Sequence, residues 1–339
     1  MSHTVSRTIA VLTVAVALAL AAMVAPAPGA EKIKITIPGI SAAFAPLYHA
    51  QSAGYFADEG LEVEVVVAIG AGSLHAVWSR DAQFAIGPGL YQLLAYEKGQ
   101  PLLAVMSILT RNVINIVMHK DAARLKGITD KSPLAEKIKA LKGLKISGGT
   151  PGGFFDQILI DYCRKAGLDP QRDVQITAVG DLQGLIVSLE HRHIDVFAAG
   201  TPIPETAVAR GFGVMVVDNS LGEDPDFAEF MMDVVMVAPD TVKRRPDLVR
   251  KVVRALLKSN AWLLDHPSEE AVAMMRPVLS RIEPSLILAG LQKTRLSIPR
   301  DGRITERAVT LTQDFLRRVG TLKSTIPYDR IVTNEFLPR

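Results

Sequence analysis

The chain has 339 residues, 48% apolar and 22% charged, and carries a net charge of +3 from 38 Lys+Arg against 35 Asp+Glu. This is room for two ordinary domains with cores of their own, and the composition excludes intrinsic disorder. The charge is spread without a basic block, which argues against nucleic acid as the main partner, and a lone cysteine, Cys163, excludes an intramolecular disulfide or a multi-cysteine metal site.

Residues 1–30 read as a secretory leader. Arg7 supplies the positive start, residues 8–24 are almost wholly apolar, and the breakers Pro26, Pro28 and Gly29 stand among small alanines suited to cleavage. A retained membrane anchor is the rival, because the apolar run approaches the minimum bilayer span. The dominance of Ala over Leu and the immediate breakers favour cleavage. With no cysteine near the cleavage zone, a lipoprotein is not expected, and the mature chain is expected in the periplasm.

The remainder contains one unit twice. An alternating run at 32–37 predicts a strand, a helix follows through 46–56, and a second strand covers 62–69. The glycine-rich loop 70–73 leads into another helix, and a third strand covers 83–86, closed by Gly87-Pro88. The second copy predicts strands at 144–147, 174–179 and 195–199, with helices at 154–166 and 181–190 between them. The text FAIGP at 84–88 is echoed by FAAGTP at 197–202. Strand–helix–strand–helix–strand predicts a parallel sheet with right-handed crossovers, in an α/β fold. Ligands of such sheets sit at the strand carboxyl ends, where each copy carries small glycine-rich turns. Turn geometry alone would account for any single one of these glycines. Their recurrence at equivalent strand ends favours a shared cleft.

Two apolar segments outside the repeat, 112–118 and 233–238, predict crossings between two lobes. The expected organisation is a leader at 1–30, a first lobe from 31–112, a second lobe at 113–232, and a return at 233–339 with C-terminal helices. Within the last part, Leu248, Val252, Leu256 and Leu263 make a helical stripe. His266-Pro267 ends that helix. Residues 121–143 carry little periodicity beyond a short helix at 134–141.

The segments APLYHAQSAGYFADEGLEVEVV (45–66), LKGLKISGGTPGGFFDQILIDYCRKAGL (141–168), LEHRHIDVFAAGTPIPETAVARG (189–211) and RRPDLVRKVVRALLKSNAWLLDHP (244–267) resemble solute-binding proteins of ABC importers. Within these they are similar to the branch serving aliphatic sulfonates, taurine, nitrate and the thiamine pyrimidine precursor. The resemblance spans nearly the whole mature chain. It implies a type II periplasmic-binding fold, two lobes closing on a small solute by a hinge, and delivery to an inner-membrane ABC permease with its ATPase. A monomer is expected. Two departures stand out. Gly152-Gly153-Phe154 lacks the hydroxyl that many members place at the helix start of the second lobe, which weakens the sulfonate and nitrate readings. Arg80 and Gln83 replace the usual Gly and Asp of the turn before the third strand.

No motif of hydrolases, zinc proteases, P-loop or dinucleotide-binding enzymes is present, so no catalytic, cofactor or metal residue is assigned. His191 and His193 form an H-x-H pair, but at a helix-to-strand turn on the solvent side. Cys163 reads as a buried structural thiol, and Asp156 and Asp161 lie on different helix faces.

The candidate binding residues are Ser41, Phe44, Ser73, Gly87, Pro88, Arg111, Thr150, Gly152, Gly153, Phe154, Thr201 and Glu205. Phe44 and Phe154 are placed to stack on a planar ligand or to join the core. Ser41, Ser73, Thr150 and Thr201 offer hydroxyls on cleft loops. The turn from Thr150 to Phe154 offers backbone donors at a helix start. Glu205 suits either a helix dipole or a ligand donor, and Arg111 either an anionic ligand or an interlobe salt bridge. Together they favour a planar organic solute with hydrogen-bond donors. A signalling partner on the same fold is the second reading, and an enzyme on that fold the third.

Overall fold

The computed structural model describes residues 29–68, 72–277, 279–280 and 283–338, so the expected leader lies outside the described residues apart from Gly29 and Ala30. Its strands are β1 (Glu31–Ile37), β2 (Leu61–Val67), β3 (Phe84–Gly87), β4 (Leu103–Leu109), β5 (Ile114–His119), β6 (Lys145–Ser147), β7 (Gln175–Ile176), β8 (Val196–Gly200), β9 (Gly213–Val217) and β10 (Asp233–Val237). They form two five-stranded sheets of identical plan, β2-β1-β3-β10-β4 and β7-β6-β8-β5-β9. In each sheet the fourth strand runs antiparallel to both neighbours while the first three are parallel. These are two mixed-sheet α/β lobes of the type II periplasmic-binding plan.

The alternation in β1 puts Ile33, Ile35 and Ile37 inside and Lys32 and Lys34 outside, as period-two patterning requires. β5 and β10, by contrast, are buried along their whole length, because helices cover both faces of the sheet interior. β4 and β9, which the periodicity did not single out, complete the two sheets next to them. The helix expected through 46–56 is broken in two, Ala45–Ser52 and Tyr55–Asp58, by Gly54 at φ +77°.

The two segments expected to carry the crossings are strands of the sheets they reach. The chain leaves β4 and enters β5 through residues 110–113, and leaves β9 for β10 through residues 218–232. Arg111 braces the two passages: its Nη1 donates to the Ser220 carbonyl at 3.1 Å. Further back, helix Glu306–Arg318 packs Phe315 edge-on against Phe154, Phe227 and Phe230. Arg318 forks onto the buried Asp161 carboxylate of helix Phe154–Lys165 at 2.7 and 3.1 Å. Among the described residues no helix is long and apolar enough to cross a membrane.

Candidate functional site

Because parallel strands of one sheet end on one side, the turns after β1 and β3 share one edge of the first sheet and those after β6 and β8 one edge of the second, and Gly290 lies against both Ala42, after β1, and Thr201, after β8. After β1, the Ser41 hydroxyl accepts from the Ala43 amide at 3.2 Å and caps the turn Ala42–Phe44. Phe44 is buried, edge-on to Tyr48. Ser73 is buried on helix Gly72–Trp78, and its carbonyl accepts the Thr36 hydroxyl at 2.8 Å. Gly87 pairs with Val234 of β10, and Pro88 precedes helix Gly89–Glu97.

In the second lobe, the Thr150 hydroxyl donates to the Gly180 carbonyl at 3.3 Å. The Gly152 amide donates to the Asp156 carboxylate at 2.8 Å and the Gly153 amide to the Thr150 carbonyl at 3.0 Å, so both of these expected backbone donors already have partners within the turn. The Phe154 main chain is approached by the Tyr91 phenol of the first lobe. The Phe154 ring is buried and parallel to Phe230 at 6.4 Å, which gives it a place in the interlobe aromatic cluster.

The fit of helix Phe154–Lys165 onto β6 explains Gly148, where a Cβ would lie 2.1 Å from the Asp156 amide nitrogen, while Gly149 serves its turn at φ +84°. Arg80, standing where relatives are expected to carry glycine, adopts φ +72°, and the Gln83 side chain accepts from the Lys34 amide at 2.7 Å. Arg80 thus holds a left-handed position that glycine would adopt more readily, and Gln83 serves the strand edge.

Thr201 follows β8 at a cis Thr201–Pro202 peptide; it is buried against Gly290, and its hydroxyl has no hydrogen-bond partner among the described residues. Glu205 stands at the start of helix Ile203–Ala209 but is not free to meet a ligand with its full charge. Lys293, on helix Pro284–Arg295, places its ammonium 3.0 Å from the Glu205 carboxylate and 2.7 Å from that of Asp218. Burial works against the Lys293 charge, yet these two carboxylates hold its pKa above the ordinary value. Arg111 is engaged by Ser220, leaving its Nε without a partner among the described residues.

The polar groups that sequence reasoning passed over are the most exacting ones. Asp233 opens β10 opposite Leu109, at the cleft end of the first sheet, and is 1% exposed. Neither carboxylate oxygen has a hydrogen-bond partner among the described residues, and burial pushes its pKa well above the usual carboxylate range. The Tyr48 hydroxyl is likewise buried and makes no hydrogen bond of full geometry among the described residues, though the Ser41 main chain is near it. Burial pushes its pKa up to about 12, the Ser41 main chain opposing and the Asp233 charge adding. Asn112 and Asn115, flanking the first crossing, each keep an unpartnered amide nitrogen. A strand-opening Asp before the apolar run VVMV is the one sequence signal that could have flagged this group.

Away from the cleft, His191 and His193 are exposed with ring centres 6.3 Å apart. Cys163 is buried and its thiol pushed up to about 12 by that burial. Among the described residues no cluster of three or more His, Cys, Asp or Glu could hold a metal ion. A surface hollow of about 660 Å³ between Lys32, Lys34, Glu62, Glu64 and Gln83 lies toward the strand starts, away from these turns.

Comparison with known proteins agrees with this geometry. The riboflavin-binding protein RibY of Chloroflexus aurantiacus is 28% identical over 340 residues, covering 93% of this chain and 89% of its own. A solved structure from Bordetella bronchiseptica superposes with a TM-score of 0.75 at 23% identity, covering 90% of this chain and 95% of that one. The periplasmic aliphatic sulphonate-binding protein SsuA of Escherichia coli superposes with a TM-score of 0.70 at 16% identity, over 90% and 99% of the two chains. Residues 41–270 match the family described as NMT1/THI5 like, and the chain belongs to that family.

Proposed function

We propose that this protein is the solute receptor of an ABC importer, exported to the periplasm, where it captures a small organic solute between its lobes and hands it to a membrane permease. The observation that carries the reading is the arrangement of the cleft: two sheets of one plan point their strand ends at each other, and buried, unpartnered polar groups come from both, Tyr48 and Asp233 from one and Thr201 from the other. Such groups are costly to bury unless a partner arrives. The resemblance to RibY supports the same reading and adds riboflavin to the solutes worth testing. Binding without turnover is the expected activity.

The test is a melting-temperature screen of the mature chain against riboflavin, aminopyrimidines, alkanesulfonates, nitrate and aromatic acids. A solute that binds only the folded chain stabilises it by RT ln(1 + [L]/Kd), about 2.7 kcal/mol at a hundredfold excess over Kd. A stabilising solute that is recovered unchanged supports the receptor reading. Chemical conversion of that solute by the purified chain would overturn it.

A further inference from the structure

We infer that Asp233 is the point at which the cleft reads its solute, with the buried Tyr48 hydroxyl as a second polar group, and that the solute presents N–H donors on a neutral or cationic nitrogen and is not a simple oxyanion. This rests on the receptor reading above and names the ligand class.

The inference follows from what each charged group near the cleft already has. Lys293 is held by Glu205 and Asp218, and Arg111 spends Nη1 on the Ser220 carbonyl. Of the basic groups at the cleft, then, Lys293 is neutralised, while Arg111 spends one N–H on a neutral carbonyl, keeps its buried Nε without a partner and pairs with no carboxylate among the described residues. Asp233 is the opposite case. It is 1% exposed, pairs with no described Lys, Arg or His, and leaves both oxygens without a donor. Its backbone is fully used, pairing with Leu109 and accepting weakly from the Ser107 hydroxyl, so the side chain contributes nothing to the sheet.

An ionised carboxylate in that position is destabilising by itself, and a protonated one leaves an O–H and a carbonyl without partners. A ligand N–H satisfies the ionised carboxylate or the carbonyl oxygen of the protonated form, and a cationic nitrogen favours the ionised form and restores its charge to a paired state. An incoming sulfonate or nitrate brings no N–H donor and, against the ionised carboxylate, a second negative charge. The Tyr48 hydroxyl, buried and without a hydrogen bond of full geometry among the described residues, supplies a second donor and acceptor that fix the ring or amide plane.

The experiment is calorimetric titration of the native chain, Asp233→Asn and Tyr48→Phe with two N–H probes, riboflavin and 4-amino-2-methylpyrimidine, and two oxyanions, nitrate and methanesulfonate. Melting temperatures of the three unliganded chains are measured in parallel. At least one N–H probe is expected to bind and both oxyanions to fail. Asp233→Asn is expected to weaken binding tenfold or more, with a smaller loss in Tyr48→Phe, as hydrogen bonds to charged and neutral partners differ. The unliganded Asp233→Asn chain is expected to melt no lower than the native one, because an unpaired buried carboxylate holds nothing together. Tight binding of nitrate or methanesulfonate, or an N–H probe bound equally well by Asp233→Asn, would overturn the assignment of Asp233 while leaving a solute receptor standing. A lower melting temperature with unchanged affinity would make Asp233 structural. Failure of all four probes to bind would count against the receptor reading and this inference together.

Discussion

The Lys293 ammonium lies 3.0 Å from the Glu205 carboxylate, joining helix Pro284–Arg295 to the opening turn of helix Ile203–Ala209 in the second lobe. Asp218, on the passage between β9 and β10, shares the same ammonium at 2.7 Å. Two carboxylates that would repel each other are thus held by one partly buried cation. Lys293→Met should leave them facing one another and cost about 2 kcal/mol in urea unfolding. The double variant Lys293→Met/Glu205→Gln should recover part of that loss. A single variant as stable as the native chain would show that the pair contributes nothing to holding the lobes.

The turn before helix Phe154–Lys165 carries the next expectation. Gly152 and Gly153 spend their amides on Asp156 and Thr150, and a Cβ on Gly153 would meet the Thr150 carbonyl oxygen at 3.0 Å. Gly153→Val should therefore act on packing, lowering stability by about 1–3 kcal/mol. The affinity of the folded fraction should change little. Loss of binding at an unaltered melting temperature would return this turn to the ligand site.

Asp161 is buried and receives two hydrogen bonds from Arg318, with the Lys165 ammonium 3.6 Å away. Asp161→Asn keeps the shape but removes the charge facing a half-buried guanidinium. A destabilisation of about 2–3 kcal/mol is expected from equilibrium unfolding. Arg318→Met should cost a similar amount, and the two losses should not add, since each breaks the same pair. Additive losses would mean that the two groups act independently.

Much of the fold is legible in the sequence because its signals are local. The alternation of Lys and Ile in β1, the Gly-rich turns and the echo of FAIGP in FAAGTP each depend on a few adjacent residues. The strand–helix order then dictates parallel pairing and the position of the cleft. β4 and β9 escaped because β4 is apolar on both faces and β9 is five residues long, so neither shows a period. The site is harder to read, since its chemistry depends on who pairs with whom across the chain. Glu205 looks available until Lys293, 88 positions later, is brought against it. Phe154 looks like a ligand platform until Phe230 and Phe315 pack on it. Asp233 looks like an ordinary strand start, and only burial without a partner sets it apart.

His49 gives the protein a pH dependence whose sign can be worked out. The imidazole is buried, stacked on Trp262 at 4.2 Å, with Nδ1 3.0 Å from the Ser259 hydroxyl. Burial disfavours its cation, the nearby His266 charge adds to the effect, and its pKa falls from 6.5 to about 4. Between those values the unfolded chain holds more protons at this site than the folded one. Stability must then rise with pH across the window, be fully present above 6.5, and drain away as pH falls toward 4. The full effect is bounded at about 3 kcal/mol by the size of the shift. Glutamine keeps a polar group near Ser259 and does not titrate, so His49→Gln removes the linkage at some cost in stacking. The unfolding free energies of the native chain and the variant, measured at intervals from pH 4 to 7.5, should diverge as pH rises and run parallel above 6.5. A difference that stays constant over that range would mean that His49 is protonated as readily in the folded chain as in the unfolded one.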